Sequence, residues 1–197
     1  MTFIDTIPDD QASGVLAELY EDERAGDGYV WNGTRAFSHR PAVRAGWDEF
    51  LKSIRANMDL RRYELATLAA ARRLRSSYCM LAHGSVMLDR FLEPDELRAI
   101  ASDHRTAGLD AVDVAVMDLA DKVVADATSV TQADIDGLRD LGLSDAEIFD
   151  VVLAAAARCF MSKVIDAVGA EPDHAYEERL APELREALVV GRPIAAS

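Results

Sequence analysis

One sulfur, one imidazole and one carboxylate lie at spacings along this chain that would let them work together. Cys79 and His83 stand four residues apart in an apolar run, and an α-helix of about 3.6 residues per turn sets i and i+4 on one face. Glu64 lies on the preceding helical run, ELATLAAARRLR, beyond a polar break at Ser76-Ser77-Tyr78. A helix starting at that break carries Cys79 in its first turn, where free N–H groups and the helix dipole favour an anion. A neighbouring protonated His83 would add to this. A thiolate so placed can attack the O–O bond of a hydroperoxide, giving an alcohol and a sulfenic acid. His83 would move the proton, Glu64 would orient the ring, and the Ser76 hydroxyl would donate a hydrogen bond to the sulfur.

Each residue taken singly has a plainer reading. Free cysteine is among the most buried residue types, a lone histidine is often bonded to a backbone carbonyl, and Glu64 could pair with Arg61 or Arg62 on a solvated helix face. The joint spacing favours the chemical reading. Tyr78, beside the thiol, either lines its pocket or fills space. Cys159 reads as a packed core residue; as a second thiol it could resolve a sulfenic acid only with Cα atoms roughly 4.4–6.8 Å from Cys79. A structural zinc site wants about four protein ligands, and His39, His104 and His174 stand in scattered polar contexts that read as surface. No metal and no cofactor is expected.

The elements that must position these groups are helices. Residues 1–12 read as a leader. Helices are expected from Ser13 to Glu23, in a turn between Trp31 and Ser38, and from Pro41, which suits a first helical turn, to about Ala56. Val43, Trp47, Phe50, Leu51 and Ile54 recur there at the spacing of a buried stripe. Further helices follow from Asp59, from Cys79 to Arg90, from Glu93, from Asp110 to Asp126 and after Thr131. Ser144 and Glu147 form a capping box for a helix running to about Val168. That helix is apolar nearly all round, as suits burial among several neighbours or in a subunit interface. Residues 173–197 read as a charged tail with a short helix after Pro182 and a loose end. Leu68-Ala69-Ala70-Ala71-Arg72 is echoed by Leu153-Ala154-Ala155-Ala156-Ala157-Arg158, through an old duplication or through Ala-rich packing imitating itself. No segment alternates as a strand does. The fold class is all-α, a single-domain multi-helix bundle over residues 1–197 with its motif core at 61–90.

The chain has 197 residues, half of them hydrophobic, enough for one domain with a substantial core. Its net charge of −14, from 35 acids and 21 bases, repels phosphate backbones and anionic lipid surfaces and excludes nucleic acid and membrane as partners. The basic cluster Arg72, Arg73 and Arg75 reads as a solvated helix face. Two cysteines build no disulfide framework. MTFIDTIPDDQASG lacks the basic start and long apolar core of a signal peptide, and no apolar run reaches about 18 residues. The expected setting is reducing and cytoplasmic.

The pattern Glu64…Ser76-x-x-Cys79-x-x-x-His83 resembles the alkylhydroperoxidase (AhpD-like) and carboxymuconolactone decarboxylase family, and within it the uncharacterised peroxidase-related subgroup. The family signature is a Glu followed by Cys-x-x-Cys-x-x-x-His. Glu64, Cys79 and His83 match it, and Ser76 replaces the first cysteine. The resemblance implies an AhpD-like helical fold, a homo-oligomer, and a peroxidase in which Glu64 and His83 relay protons for Cys79. Its partners would be a small-molecule hydroperoxide and an external thiol reductant, because a serine at 76 cannot close the family's disulfide. Two alternatives follow from the same resemblance: a decarboxylase acting on a lactone acid without redox chemistry, or a non-catalytic thiol sensor or scaffold.

Overall fold

In a computed structural model the protein is described over residues 2–196; Met1 and Ser197, the ends of the leader and tail read from sequence, lie outside the described residues. Eleven α-helices and two short 3-10 turns make up the described residues, with no strand among them. The helices are α1 Val15–Asp27, α2 Asn32–Arg35, α3 Pro41–Arg55, α4 Leu60–Leu74, α5 Ser77–Arg90, α6 Pro94–Asp103, α7 Ala111–Asp126, α8 Gln132–Asp140, α9 Asp145–Ala167, α10 Ala175–Arg179 and α11 Pro182–Leu188. None is long and apolar enough to cross a membrane.

The bundle is built around α4, which packs against α5, α7 and α9. Tyr63 through Ala71 are buried without interruption. Small alanines on every face let neighbouring axes approach closely, and that packing outweighs the exposure that Glu64 and Thr67 would otherwise prefer. The helix starts where its local chemistry directs. The Asp59 side chain accepts from Arg62 N at 2.9 Å, and Ser144 and Glu147 close a reciprocal capping box on α9. Each cap satisfies first-turn N–H groups that have no intrahelical partner.

Three expectations need correction. First, of the two readings of α9, burial among neighbours holds for one face only. Ile148, Val151, Ala155, Arg158 and Ser162 face the interior, while Phe149 is 60% and Phe160 43% exposed. With Val43 and Phe50 of α3, Phe160 borders an apolar groove of about 460 Å³. A run lacking polar residues carries no phase, so the sequence could not tell its inner face from its outer one. Second, the tail is packed. Residues 175–179 form the unforeseen α10, and α11 docks on α5 and α6 with Leu184 and Leu188 buried. Gly84 permits this, since a Cβ there would stand 3.1 Å from Leu188. Third, His104 is buried, its Nε2 2.8 Å from Asp118 Oδ1, whereas His39 and His174 are exposed.

Candidate active site

The turn between α4 and α5 sets the position of the sulfur. Arg75 takes the left-handed conformation (φ 56°) that ends α4, and Ser76 N–H donates back to Ala71 O at 3.0 Å. The chain then re-enters a helix at Ser77, which places Cys79 third, inside the first turn of α5. The C-terminal strap seals this turn from outside: Gly191 N–H donates to Ser77 Oγ at 2.8 Å and Arg75 Nε to Val190 O at 3.3 Å. Gly191 packs so tightly over Arg75 O that no side chain fits there.

Cys79 is only 2% exposed. Two groups from α9 converge on its Sγ: Ser162 Oγ donates at 3.1 Å and Arg158 Nη1 at 3.5 Å. They are four residues apart and so share one helix face. Arg158 is itself 3% exposed. Its second nitrogen reaches Tyr63 Oη at 3.4 Å, and its guanidinium lies 5.8 Å from the Trp47 ring centroid. A buried cation without a carboxylate partner is costly. Burial works against the Arg158 charge, but the Cys79 sulfur and the Tyr63 phenol outweigh it and raise the guanidinium above its ordinary value.

His83 and Glu64 form the second pair. His83 Nδ1 lies 2.5 Å from Glu64 Oε2, with both side chains largely buried. Burial, followed by the Arg158 charge, lowers the His83 pKa despite the opposing pull of Glu64. The resting imidazole is therefore neutral. A neutral ring that donates its Nδ1–H to Glu64 keeps Nε2 as the free base. The cation at the sulfur is thus Arg158 rather than a protonated histidine.

Glu64, Cys79, His83 and Arg158 all line one cavity of about 580 Å³, which Trp31 and Trp47 also line. Ser76 is not part of it. Its hydroxyl is fully buried and makes no hydrogen bond to the sulfur, interacting weakly instead with Asp166. The hydroxyl expected from Ser76 is supplied by Ser162. Tyr78 lines the cavity, but its hydroxyl is committed elsewhere: it donates to Asp173 Oδ2 at 2.7 Å and accepts from Gly33 N at 2.9 Å, tying α5 to α2 and to the segment before α10. Cys159 is half-buried and adjoins Arg158, so it is turned about 100° from the face that meets Cys79. Among the described residues, no three His, Cys, Asp or Glu side chains converge as metal ligands.

Arg158, Ser162 and Tyr63 escaped the sequence reading. A signal for Arg158 was present: it is the lone charge in the otherwise apolar stretch from Val151 to Met161.

The same arrangement of helices occurs in solved structures. An alkylhydroperoxidase AhpD core protein, an uncharacterized peroxidase-related protein from Ralstonia eutropha JMP134, superposes with a TM-score of 0.81 at 18% identity, over 89% of this chain and 94% of the other. The chain has the AhpD-like fold. A second neighbour, an uncharacterized peroxidase-related protein from Silicibacter sp. TM1040, gives 0.75 at 20% identity over 88% and 90%. The debrominase Bmp8 gives 0.74 at 11% identity over 93% and 96%, and a cysteine-to-alanine variant of it has been solved with 2,3,4-tribromopyrrole. No protein-family model matches the sequence, and no curated protein does. One AhpD-like scaffold therefore serves proteins named for different chemistries.

Proposed function

We propose that this chain is a thiol-dependent, peroxidase-like oxidoreductase with Cys79 as its nucleophile. The observation that carries the reading is the convergence of Arg158 and Ser162 on a buried sulfur that shares a cavity with the Glu64–His83 pair. A cation, a hydroxyl and the first turn of α5 all favour negative charge at one atom. Water is largely excluded there, which strengthens each interaction.

The chemistry follows from the protonation states. The Cys79 thiol passes its proton across the cavity to His83 Nε2, and Glu64 stabilises the imidazolium. The thiolate attacks the outer oxygen of a hydroperoxide ROOH. The S–O bond forms, the O–O bond breaks, and the departing alkoxide takes the proton back from His83. The products are ROH and a Cys79 sulfenic acid, and His83 ends neutral as it began. With Ser76 sealed away and Cys159 on another face of α9, an external thiol R′SH resolves the sulfenic acid. The first equivalent gives the mixed disulfide and water; the second gives R′SSR′ and the free Cys79 thiol.

The test is consumption of an organic hydroperoxide with a small thiol as donor, by wild type and by Cys79→Ala. The expected result is loss of turnover in the variant, and an added oxygen on the Cys79 peptide of the wild type when thiol is withheld. Equal rates for both proteins would end the assignment. The aromatic wall of Trp31 and Trp47 makes brominated pyrroles, seen with the neighbouring debrominase, a second class of electrophile to offer the same thiolate.

A further inference from the structure

The charges lining the Cys79 cavity are unevenly matched. Arg44 is held by Asp48 and lies 3.7 Å from Glu23, Arg179 is held by Asp89, and Arg158 faces the sulfur. Two lining arginines, Arg55 at the end of α3 and Arg90 at the end of α5, have no carboxylate ion pair among the described residues, although the chain carries 35 acids against 21 bases; Arg55, exposed at the rim, is the one beside the Tyr63 ring. Its guanidinium rests over the Tyr63 ring, 5.3 Å from the centroid. The same ring meets His83 edge-on at 6.1 Å. Arg55 is therefore held at the His83 end of the cavity. An outer cleft of about 420 Å³, lined by Lys52, Arg55, Leu60 and Tyr63, shares Arg55 and Leu60 with the cavity. The remaining acids of the lining are accounted for: Glu64 is bonded to His83, Asp48 and Asp89 are paired, and Asp27 lies at the other end with Tyr29 and Arg179. An anion entering past Tyr63 thus meets an unneutralised, planar, fork-shaped donor set before it reaches the sulfur, the geometry that suits a carboxylate.

We propose that Arg55 is the recognition residue for a carboxylate-bearing reactant of Cys79, which enters past the Tyr63 ring. This deepens the thiolate reading above and rests on it for the identity of that reactant, which is the hydroperoxide or the reducing thiol. Recognition itself is testable without any turnover.

The first experiment compares alkylation of Cys79 by anionic iodoacetate and neutral iodoacetamide at near-neutral pH and low salt. Cys159→Ser protein is used so that one thiol is read, by mass of its peptide. The iodoacetate-to-iodoacetamide rate ratio should exceed that of a small model thiol. Arg55→Gln should lower it by about five-fold, the scale of a partly exposed ion pair at the upper end of its ordinary range. Arg55→Lys should keep most of it, high salt should compress it, and the iodoacetamide rate should stay nearly constant throughout. A ratio unmoved by Arg55→Gln, or two rates falling together, overturns the proposal. If wild type reduces no hydroperoxide yet shows this ratio and its loss, the peroxidase reading fails and anion recognition stands.

The second experiment assigns the source. With a hydroperoxy carboxylic acid against cumene hydroperoxide, and mercaptoacetate against mercaptoethanol, Arg55→Gln should raise KM by about five-fold for one anionic member only. A rise with the acid hydroperoxide names the oxidant, and a rise with mercaptoacetate names the reductant. No rise in either pair overturns the proposal.

Discussion

Replacing Arg158 with methionine separates function from stability, because the two should move in opposite directions. The guanidinium is 3.5 Å from the Cys79 sulfur. At that separation and an effective dielectric of about 20, a full cation–anion pair is worth about 5 kcal/mol. Relaxation and water admitted by the shorter side chain offset part of this. Alkylation of Cys79 by iodoacetamide at neutral pH should therefore slow by at least about ten-fold in Arg158→Met. Arg158 is also a buried charge with no carboxylate partner among the described residues; methionine removes its desolvation cost, and the Cys79 thiol left behind can rest neutral rather than as an unpaired charge. For a domain of this size each kcal/mol gained raises Tm by about 2–4 °C. The expected pair of results is slower alkylation with a Tm unchanged or higher. A variant that melts several degrees lower while its cysteine reacts as fast as before would show that Arg158 holds the bundle together and does nothing for the sulfur.

Three further outcomes are expected. Burial, then Arg158, lowers the His83 pKa in the folded state, so below the unfolded value of about 6.5 the unfolded chain binds more protons than the native one. Stability is full above that pH and falls as pH drops toward the lowered folded value; His83→Gln should flatten this slope in urea melts at stepped pH. Leu188→Ala, at a residue 0% exposed and seated on Gly84, should cost about 2–5 kcal/mol in denaturant unfolding, whereas a loose tail would lose almost nothing. Self-association, implied by the resemblance, predicts a light-scattering mass above the 21.5 kDa of one chain at micromolar concentration. Phe160→Glu, on the exposed face of α9, should reduce that mass.

Local chemistry that is written locally was readable. Asp59, Ser144 and Glu147 announce helix starts because a cap needs only its own few residues. Pro41 and Pro182 open helices as the missing N–H allows. Cys79 and His83 follow from helical spacing, and the first-turn position of the sulfur follows from the break before it. The packing of α11 was not readable, because the charged residues around Leu184 and Leu188 mask them, and Leu188 needs the gap at Gly84, more than a hundred residues earlier.

The echo between α4 and α9 marks the boundary. Arg72 and Arg158 each close a nearly identical run of alanines. Arg72 is exposed and its guanidinium bonds Ser102 O; Arg158 is buried and faces Cys79. By itself the sequence determined that both runs are helices and that a thiol and an imidazole share one of their neighbours' faces, since backbone periodicity is a local property. Which arginine lies beside the sulfur, and that Ser162 rather than Ser76 donates to it, was decided only when α9 packed across α4 and α5. Contact between residues about eighty positions apart depends on how helices cross in space, and no spacing along the chain encodes that.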